Sequence, residues 1–299
     1  MYPRLNVVGC GRLGQAIATL FRVARIADEI HVCNRSLESG ERAVAAIGGG
    51  VAHSSISSMP ISNLWLVACG DQEIERVAEL IAADGALMAD AVVFHCSGFL
   101  TSDVLRAVKG RGAHVASAHP VRSFASVEMA VREFPGTFCG VEGENPARTT
   151  VSDIFTELGA RVFPLSPEGK VLCHAGHVFA SNYVVALLTC ARDLYRAAEI
   201  PDELAWQLMA PLVRGTIDNV MGLGPARALT GPIARGEDVV VAKQADVVSE
   251  ASALVADLYV KLGLVAVDIA REQGLPSDRC HALRRVLQDG ATSSPSLIE

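Results

Sequence analysis

The sequence predicts an α/β fold: a doubly wound parallel sheet in the N-terminal half, followed by an all-α C-terminal domain. Three observations carry this reading. Short apolar runs alternate with stretches of helical periodicity up to about residue 163. The first run leads straight into the glycine pattern Gly9-x-Gly11-x-x-Gly14. Beyond about residue 165 the alternation stops and helical periodicity continues alone.

In chain order, "RLNVVG" reads as a strand, the glycine loop follows, and "LGQAIATLFRVARIA" carries apolar residues at helical spacing. "EIHVCN" is a second strand, "ERAVAAIG" a helix and "NLWLVACG" a third strand. "DQEIERVAELIAAD" is a helix opening on Asp71 as N-cap, and "AVVFHCSG" a fourth strand. "SDVLRAVKGRG" is a helix, "HVASAHP" a fifth strand, and "TFCGVEG" and "ARVFPLS" later strands around the helix "NPARTTVSDIFTELG". Such alternation builds a mostly parallel sheet with helices on both faces. The domains expected are 1–165, the nucleotide-binding Rossmann domain, and 166–299, a helical domain for substrate binding and dimerisation. The last residues, "DGATSSPSLIE", read as a loose tail.

Of 299 residues, 50% are hydrophobic and 5% aromatic, so the core is built mainly of Ala, Val and Leu. A net charge of −7 without any long basic run excludes nucleic acid as the main partner. The eight cysteines form no CxxC pair, and several lie in apolar runs, as buried thiols of a reducing compartment do. The N-terminus enters a strand directly and so reads as lacking a signal peptide. The longest apolar run is interrupted by Ser181 and Asn182, which argues against a membrane span. A cytoplasmic protein is expected.

The glycine pattern follows a strand and opens a helix with Arg12 and Leu13. Its first glycine permits the tight turn, its second the approach of a pyrophosphate, and its third close packing of helix on strand. After the second strand an NAD-binding chain carries an acid for the ribose hydroxyls. Here Asn34, Arg35 and Ser36 stand there, offering donors and no negative charge. A carboxylate would repel a ribose 2′-phosphate, whereas a guanidinium grips it. Arg12 adds a second cation, and NADP(H) is the expected cofactor.

Four stretches are expected to line a substrate cleft between the two halves. "FHCSGFLTSD" places Ser97 and Gly98 at a strand end. "SAHPVRSF" supplies His119, Arg122 and Ser123. "KVLCHAGHVFASN" brings Lys170, His174, His177, Ser181 and Asn182, and "ALTGPIARGE" brings Thr230, Arg235 and Glu237. Hydride delivery to a carbonyl or imine needs a proton or hydrogen-bond donor on the heteroatom and a clamp for the substrate's acid group. His119, His174, Asn182 and Ser97 are the candidate catalytic residues, with Gly98, Arg122 and Arg235 on the substrate. His174 and Asn182, eight apart, fall along one helical stripe, and an amide in so apolar a helix is costly to bury without purpose. His174 and His177 stand at i, i+3 with no carboxylate motif, so no metal site is expected.

Together "VVGCGRLG", "CNRS", "HCSGFLTSDVL", "AHPVRSFA", "CHAGHVFASNYVVALL" and "ALTGPIARG" resemble one family over nearly the whole chain. It comprises Rossmann-like proteins with a C-terminal domain of unknown function. The family is similar to pyrroline-5-carboxylate reductases, deazaflavin-dependent NADP oxidoreductases and ketopantoate reductases of the 6-phosphogluconate dehydrogenase-like superfamily. The resemblance implies NADP-dependent reduction and a dimer formed through the helical domain, without naming a substrate. Two positions depart from the wider pattern. The lysine that β-hydroxyacid dehydrogenases place four residues before the helical asparagine is Val178 here, so Asn182 matches and the lysine does not. The loop reads Arg235-Gly236-Glu237 where aspartate is expected last.

The function expected is an NADP(H)-dependent oxidoreductase acting on a small carbonyl or imine acid. Two alternatives differ in kind: a non-catalytic NADPH-binding sensor, and a deazaflavin-linked NADP oxidoreductase with a second cofactor in the cleft. Turnover separates the first, and hydride exchange with deazaflavin the second.

Overall fold

The computed structural model describes residues 2–84, 86–122 and 124–292, so Ser123 and the end of the expected tail lie outside the described residues. The chain divides into two units between Ala180 and Ser181. The first unit contains β1 (Tyr2–Val8), α1 (Arg12–Val23), β2 (Ala27–Cys33), α2 (Leu37–Ile47), β3 (Val51–His53), β4 (Ser62–Val67) and α3 (Asp71–Asp84). It continues with β5 (Leu87–His95), α4 (Arg106–Lys109), β6 (His114–Pro120), α5 (Val127–Arg132), β7 (Phe138–Gly143), α6 (Ala147–Glu157), β8 (Arg161–Pro164) and α7 (Pro167–Ala180).

The eight strands form one sheet in the order β3-β2-β1-β4-β5-β6-β7-β8. Pairing is parallel from β3 through β6; β7 runs antiparallel to β6, and β8 runs parallel to β7. Both faces are covered, which is why the strands read as near-continuous apolar runs. Alternate residues serve opposite faces. Phe94 joins a core with Ile17 and Phe21 of α1 and Ile154 and Phe155 of α6, while Val93 joins one with Ile74, Val77 and Ile81 of α3.

Strand β3 and helix α5 were not expected; three and six residues are too few for periodicity to register. The helix expected after the fourth strand begins as a 3₁₀ turn, Ser102–Leu105. The expected boundary after residue 165 follows the last strand, but the chain parts after α7, because that helix packs with the sheet.

The second unit holds α8 (Asn182–Ala197), α9 (Asp202–Leu223), α10 (Pro225–Ala228), α11 (Asp238–Ala251), α12 (Ala253–Glu272) and α13 (Ser277–Thr292). Its core lies among α11, α12 and α13, around Val241, Val260, Val267, Leu283 and Leu287. Among the described residues one helical stretch, Pro167–Ala197, is long and apolar enough by length and composition to cross a membrane. It breaks at Ser181 into α7 and α8, and α7 carries a lysine bonded to the sheet.

Candidate active site

The strand order reverses between β1 and β4, and open α/β sheets bind ligands at the carboxyl ends of strands flanking such a point. A cavity of about 1110 Å³ lies there, lined by the glycine loop, the end of β2, the turn after β3 and the outer side of α3. Gly9 has φ +81°, and a Cβ there would sit 2.5 Å from Cys69 Cβ, so only glycine lets the loop pass so close to the end of β4. A Cβ on Gly11 would meet nothing within 4 Å, which leaves an open cradle at the start of α1. Gly14 lets α1 approach Ala68, whose Cβ would lie 3.1 Å away.

Asn34 holds this loop from the end of β2. Its Oδ1 accepts from the Cys10 N–H at 2.6 Å, and its Nδ2 donates to the Ser39 carbonyl and hydroxyl at 3.1 and 3.2 Å. Ser36 caps α2, accepting from the Ser39 N–H at 3.3 Å. The amide and the hydroxyl therefore shape the cleft, and Arg35, exposed on its wall, is a cation that faces it. Arg12 is exposed at the start of α1, and Leu13 packs against the sheet core. Sequence reasoning missed Ser55 and Ser57, on the turn after β3, and Arg76 on α3, all lining the cavity. The hydroxyl-rich run "HSSISS" was the available signal.

The second cluster forms at the ends of β5 and β6, beside the cavity. Gly70 lines the cavity, and its neighbour Asp71 accepts a hydrogen bond from Ser97 Oγ at 2.8 Å. Asp71 thus begins α3 and anchors the next strand end rather than capping its own helix. Ser97 Oγ also accepts from the N–H groups of Phe99 and Leu100 at 3.1 and 2.9 Å, so its proton and both lone pairs are committed. Ser97 therefore shapes the loop instead of donating a proton to substrate. His95, fully buried, accepts from the Ser97 N–H at 3.1 Å on Nδ1 and donates from Nε2 to the Thr101 carbonyl at 3.1 Å.

Gly98 sits under the histidines. A Cβ there would lie 2.4 Å from His174 Cδ2 and 2.8 Å from His119 Cε1. The rings of His119 and His174 are 6.0 Å apart by centroid, and those of His119 and His177 5.5 Å. Thus β6 and α7 bring three imidazoles together, two of them, His119 and His174, over one glycine. Among the described residues no group of three His, Cys, Asp or Glu side chains is arranged to hold a metal ion.

Lys170, one turn before His174, is fully buried and donates to Ser117 Oγ. Across the sheet from Ser117 stands Glu142, whose two oxygens accept from the Ser102 N–H and hydroxyl at 2.7 Å each. Burial pushes His95 down to about 3, with the Lys170 charge adding to the effect and the bond to Thr101 opposing it. Burial likewise lowers His119 to about 4 against the pull of the Cys96 carbonyl, and Lys170, His177 and His174 lower it further. His177 is lowered by burial and by His174, and burial lowers Lys170. At neutral pH His119 is an uncharged imidazole, not a protonated acid; its Nδ1–H faces the Cys96 carbonyl at 3.5 Å, which leaves Nε2 as an acceptor.

Of three further expected site residues, Arg122 belongs to the first unit and Arg235 and Asn182 to the second. Arg122 donates to the Glu133 carbonyl, to Thr137 Oγ1 at 3.2 Å and to the Glu133 carboxylate at 3.2 Å, with its side chain 17% exposed. It ties α5 to β7 and is not free to clamp a substrate. Arg235, in the second unit, makes a two-pronged pair with Glu237 at 2.8 and 2.9 Å. Asn182 is exposed at the start of α8, not buried, and the helix expected to run through it is interrupted at Ser181.

A nucleotide-type cleft at a strand-order reversal, followed by a separate helical unit, defines a Rossmann-type protein of two units. A family model described as a domain of unknown function (DUF2520) matches residues 137–266. Protein TM1727 from Thermotoga maritima is 27% identical over 91% of this chain and all of that one, with a TM-score of 0.70. A reductive aminase from Aspergillus terreus, in complex with NADPH and ethyl-5-oxohexanoate, is 18% identical over 98% of this chain and 94% of its own, with a TM-score of 0.57. A pyrroline-5-carboxylate reductase from Coxiella burnetii is 15% identical over 98% of each chain, with a TM-score of 0.52. No curated protein matches the sequence. The resemblance read from the sequence, and its two-part fold, are borne out.

Proposed function

We propose that the protein is an NADP(H)-dependent oxidoreductase that transfers a hydride to or from a small carbonyl or imine acid. The observation that carries this reading is one continuous arrangement in the first unit. An open glycine cradle with Arg35 on its wall leads through Asp71 and Ser97 to Gly98 and the imidazoles of His119 and His174. The space above Gly11 fits a pyrophosphate, the helix start behind it favours an anion, and Arg35 with the Ser55 and Ser57 hydroxyls fits a ribose 2′-phosphate. When bound, the cofactor supplies or accepts the hydride.

The chain's own part is positioning and hydrogen bonding. Asn34 holds the loop that seats the pyrophosphate, and Asp71 with Ser97 holds the Gly98 turn. His174 donates a hydrogen bond to the heteroatom of the reacting group, and His119, its N–H on the Cys96 carbonyl, packs beside it. Such a bond surrenders no proton, and an imine that arrives protonated asks for no more. Arg122 and Arg235 are engaged by glutamates, so the structure supports the carbonyl or imine part of the reading and leaves its acid group without a named clamp.

Cysteines buried in the apolar core, Cys10, Cys96 and Cys139 among them, support a reducing, cytoplasmic location. A homodimer through the helical unit is supported by α8, which buries no residue, and by α9, where Leu212 is 63% and Met221 82% exposed.

The test is a fluorescence titration with NADPH and NADH on the wild type, Arg35→Ala and Gly11→Ala. NADPH should bind more tightly than NADH, and Arg35→Ala should weaken NADPH alone by about 10-fold or more, the worth of a charge-assisted bond. Gly11→Ala should weaken both cofactors while leaving the fold intact. Equal binding of NADPH and NADH, unchanged in Arg35→Ala, would sink the cofactor assignment.

A further inference from the structure

Helix α7 meets the sheet along one stripe. Lys170, His174 and His177 stand at i, i+4 and i+7, a spacing that puts them on one helix face. Opposite them, Ser117 and His119 stand two apart on β6 and share one face of the sheet. The contacts join these faces: Lys170 to Ser117, and the rings of His174 and His177 to that of His119.

Lys170 is unusual in this setting. It is fully buried, and its hydrogen-bond partner is a neutral hydroxyl. Glu142 is the nearby carboxylate that acts most strongly on it, yet both Glu142 oxygens are taken by Ser102. A buried ammonium without a hydrogen-bonded carboxylate is costly, and an isosteric apolar side chain would pack there at less cost.

We propose that Lys170 is the positioning residue of the histidine site: tied to Ser117, it sets how α7 lies on β6 and holds a positive charge behind His119. The reductase reading gives this role its purpose, since a charge at that place keeps His119 neutral, with its N–H on the Cys96 carbonyl, and favours electron density building on the heteroatom of a group reacting beside it. The groups facing Lys170 are His95 and Cys96 from β5 and its end, Ser117 and His119 from β6, Cys139 and Glu142 from β7, and Asp71 from α3. His174 follows on its own helix. Burial favours the uncharged amine, whereas Glu142, Cys96, Cys139 and Asp71 favour the ammonium.

The experiment needs neither cofactor nor substrate, so failure of the reductase reading and failure of this role are separable. The chain has four lysines, so selective ¹³Cε-lysine labelling gives four signals, while ¹H–¹⁵N ring spectra follow the eight histidines. In the wild type, one lysine should titrate below the other three, and the His119 ring signals should shift at that same pH. In Lys170→Met the His119 midpoint should rise by about one pH unit, the size of a nearby charge's effect, and Lys170→Arg should restore it. A His119 midpoint unmoved in a folded Lys170→Met, or no His119 response at the lysine's midpoint in the wild type, overturns the proposal. Should Lys170→Met fail to fold, the wild-type titration alone decides.

Discussion

Replacing Gly98 with alanine tests the geometry of the site most directly. The added Cβ would lie 2.4 Å from His174 Cδ2 and 2.8 and 3.0 Å from His119 Cε1 and Nε2. Carbon atoms in contact prefer about 3.5–4.0 Å, so one or both rings must retreat by about 1 Å. Overpacking of this kind costs about 1–3 kcal/mol, and in a unit of this size each kcal/mol lowers Tm by about 2–4 °C. Because the rings are only partly enclosed, the lower half of the range applies, and Tm should fall by about 2–8 °C. On a reduced substrate, a 1 Å displacement of the donor should lower kcat by about 100-fold. Gly176→Ala, on α7, is the control: its Cβ would meet nothing within 4 Å, and alanine should raise stability by about 0.5–1 kcal/mol. The assay is thermal unfolding of both variants with ring spectra of the histidines. If Gly98→Ala melts with the wild type and leaves the His119 and His174 signals in place, the close approach over Gly98 is wrong.

Stability should depend on pH through the buried histidines. His95 and His119 have folded values of about 3 and about 4 against an ordinary 6.5, so the unfolded chain binds protons that the folded one refuses. Their contribution is fully present above pH 6.5 and is lost as the pH falls toward 4, at about 1.4 kcal/mol per pH unit for each histidine. Urea midpoints at pH 7.5, 6 and 5 should decline in step, and a flat profile over that range would contradict the neutral assignment. Light scattering should give twice the chain mass if the helical unit dimerises, and Leu212→Glu with Met221→Glu should halve it; a monomeric wild type would remove the dimer.

Much of the fold could be read from the residues because it rests on local pattern. Apolar runs, helical spacing and the glycine loop are short-range signals, and the loop's meaning depended only on the strand before it and the helix after it. The elements that escaped were the three residues of β3, the six of α5 and the four of α10, too short to show a period. The reversal of β7 also escaped, because strand direction is set by pairing partners far along the chain. His119, His174 and Gly98 could be chosen as site residues from their place at strand ends and on the first helix after the sheet.

What the chain by itself determined, then, was an α/β half with a glycine loop at the first strand end, and a helical half; NADP(H) was an expectation drawn from Asn34, Arg35 and Ser36. Only the tertiary structure decided which polar side chains are free to act. Ser97 commits its O–H to a hydrogen bond with Asp71, Arg122 its guanidinium to Glu133, and Arg235 its own to Glu237. Lys170 went from one residue of a cleft-lining run to a fully buried side chain bonded to Ser117. A sequence states which donors and charges are present. Their availability depends on partners brought in from 53 residues away in the case of Lys170 and 26 in that of Ser97, and burial then decides which of them stay charged.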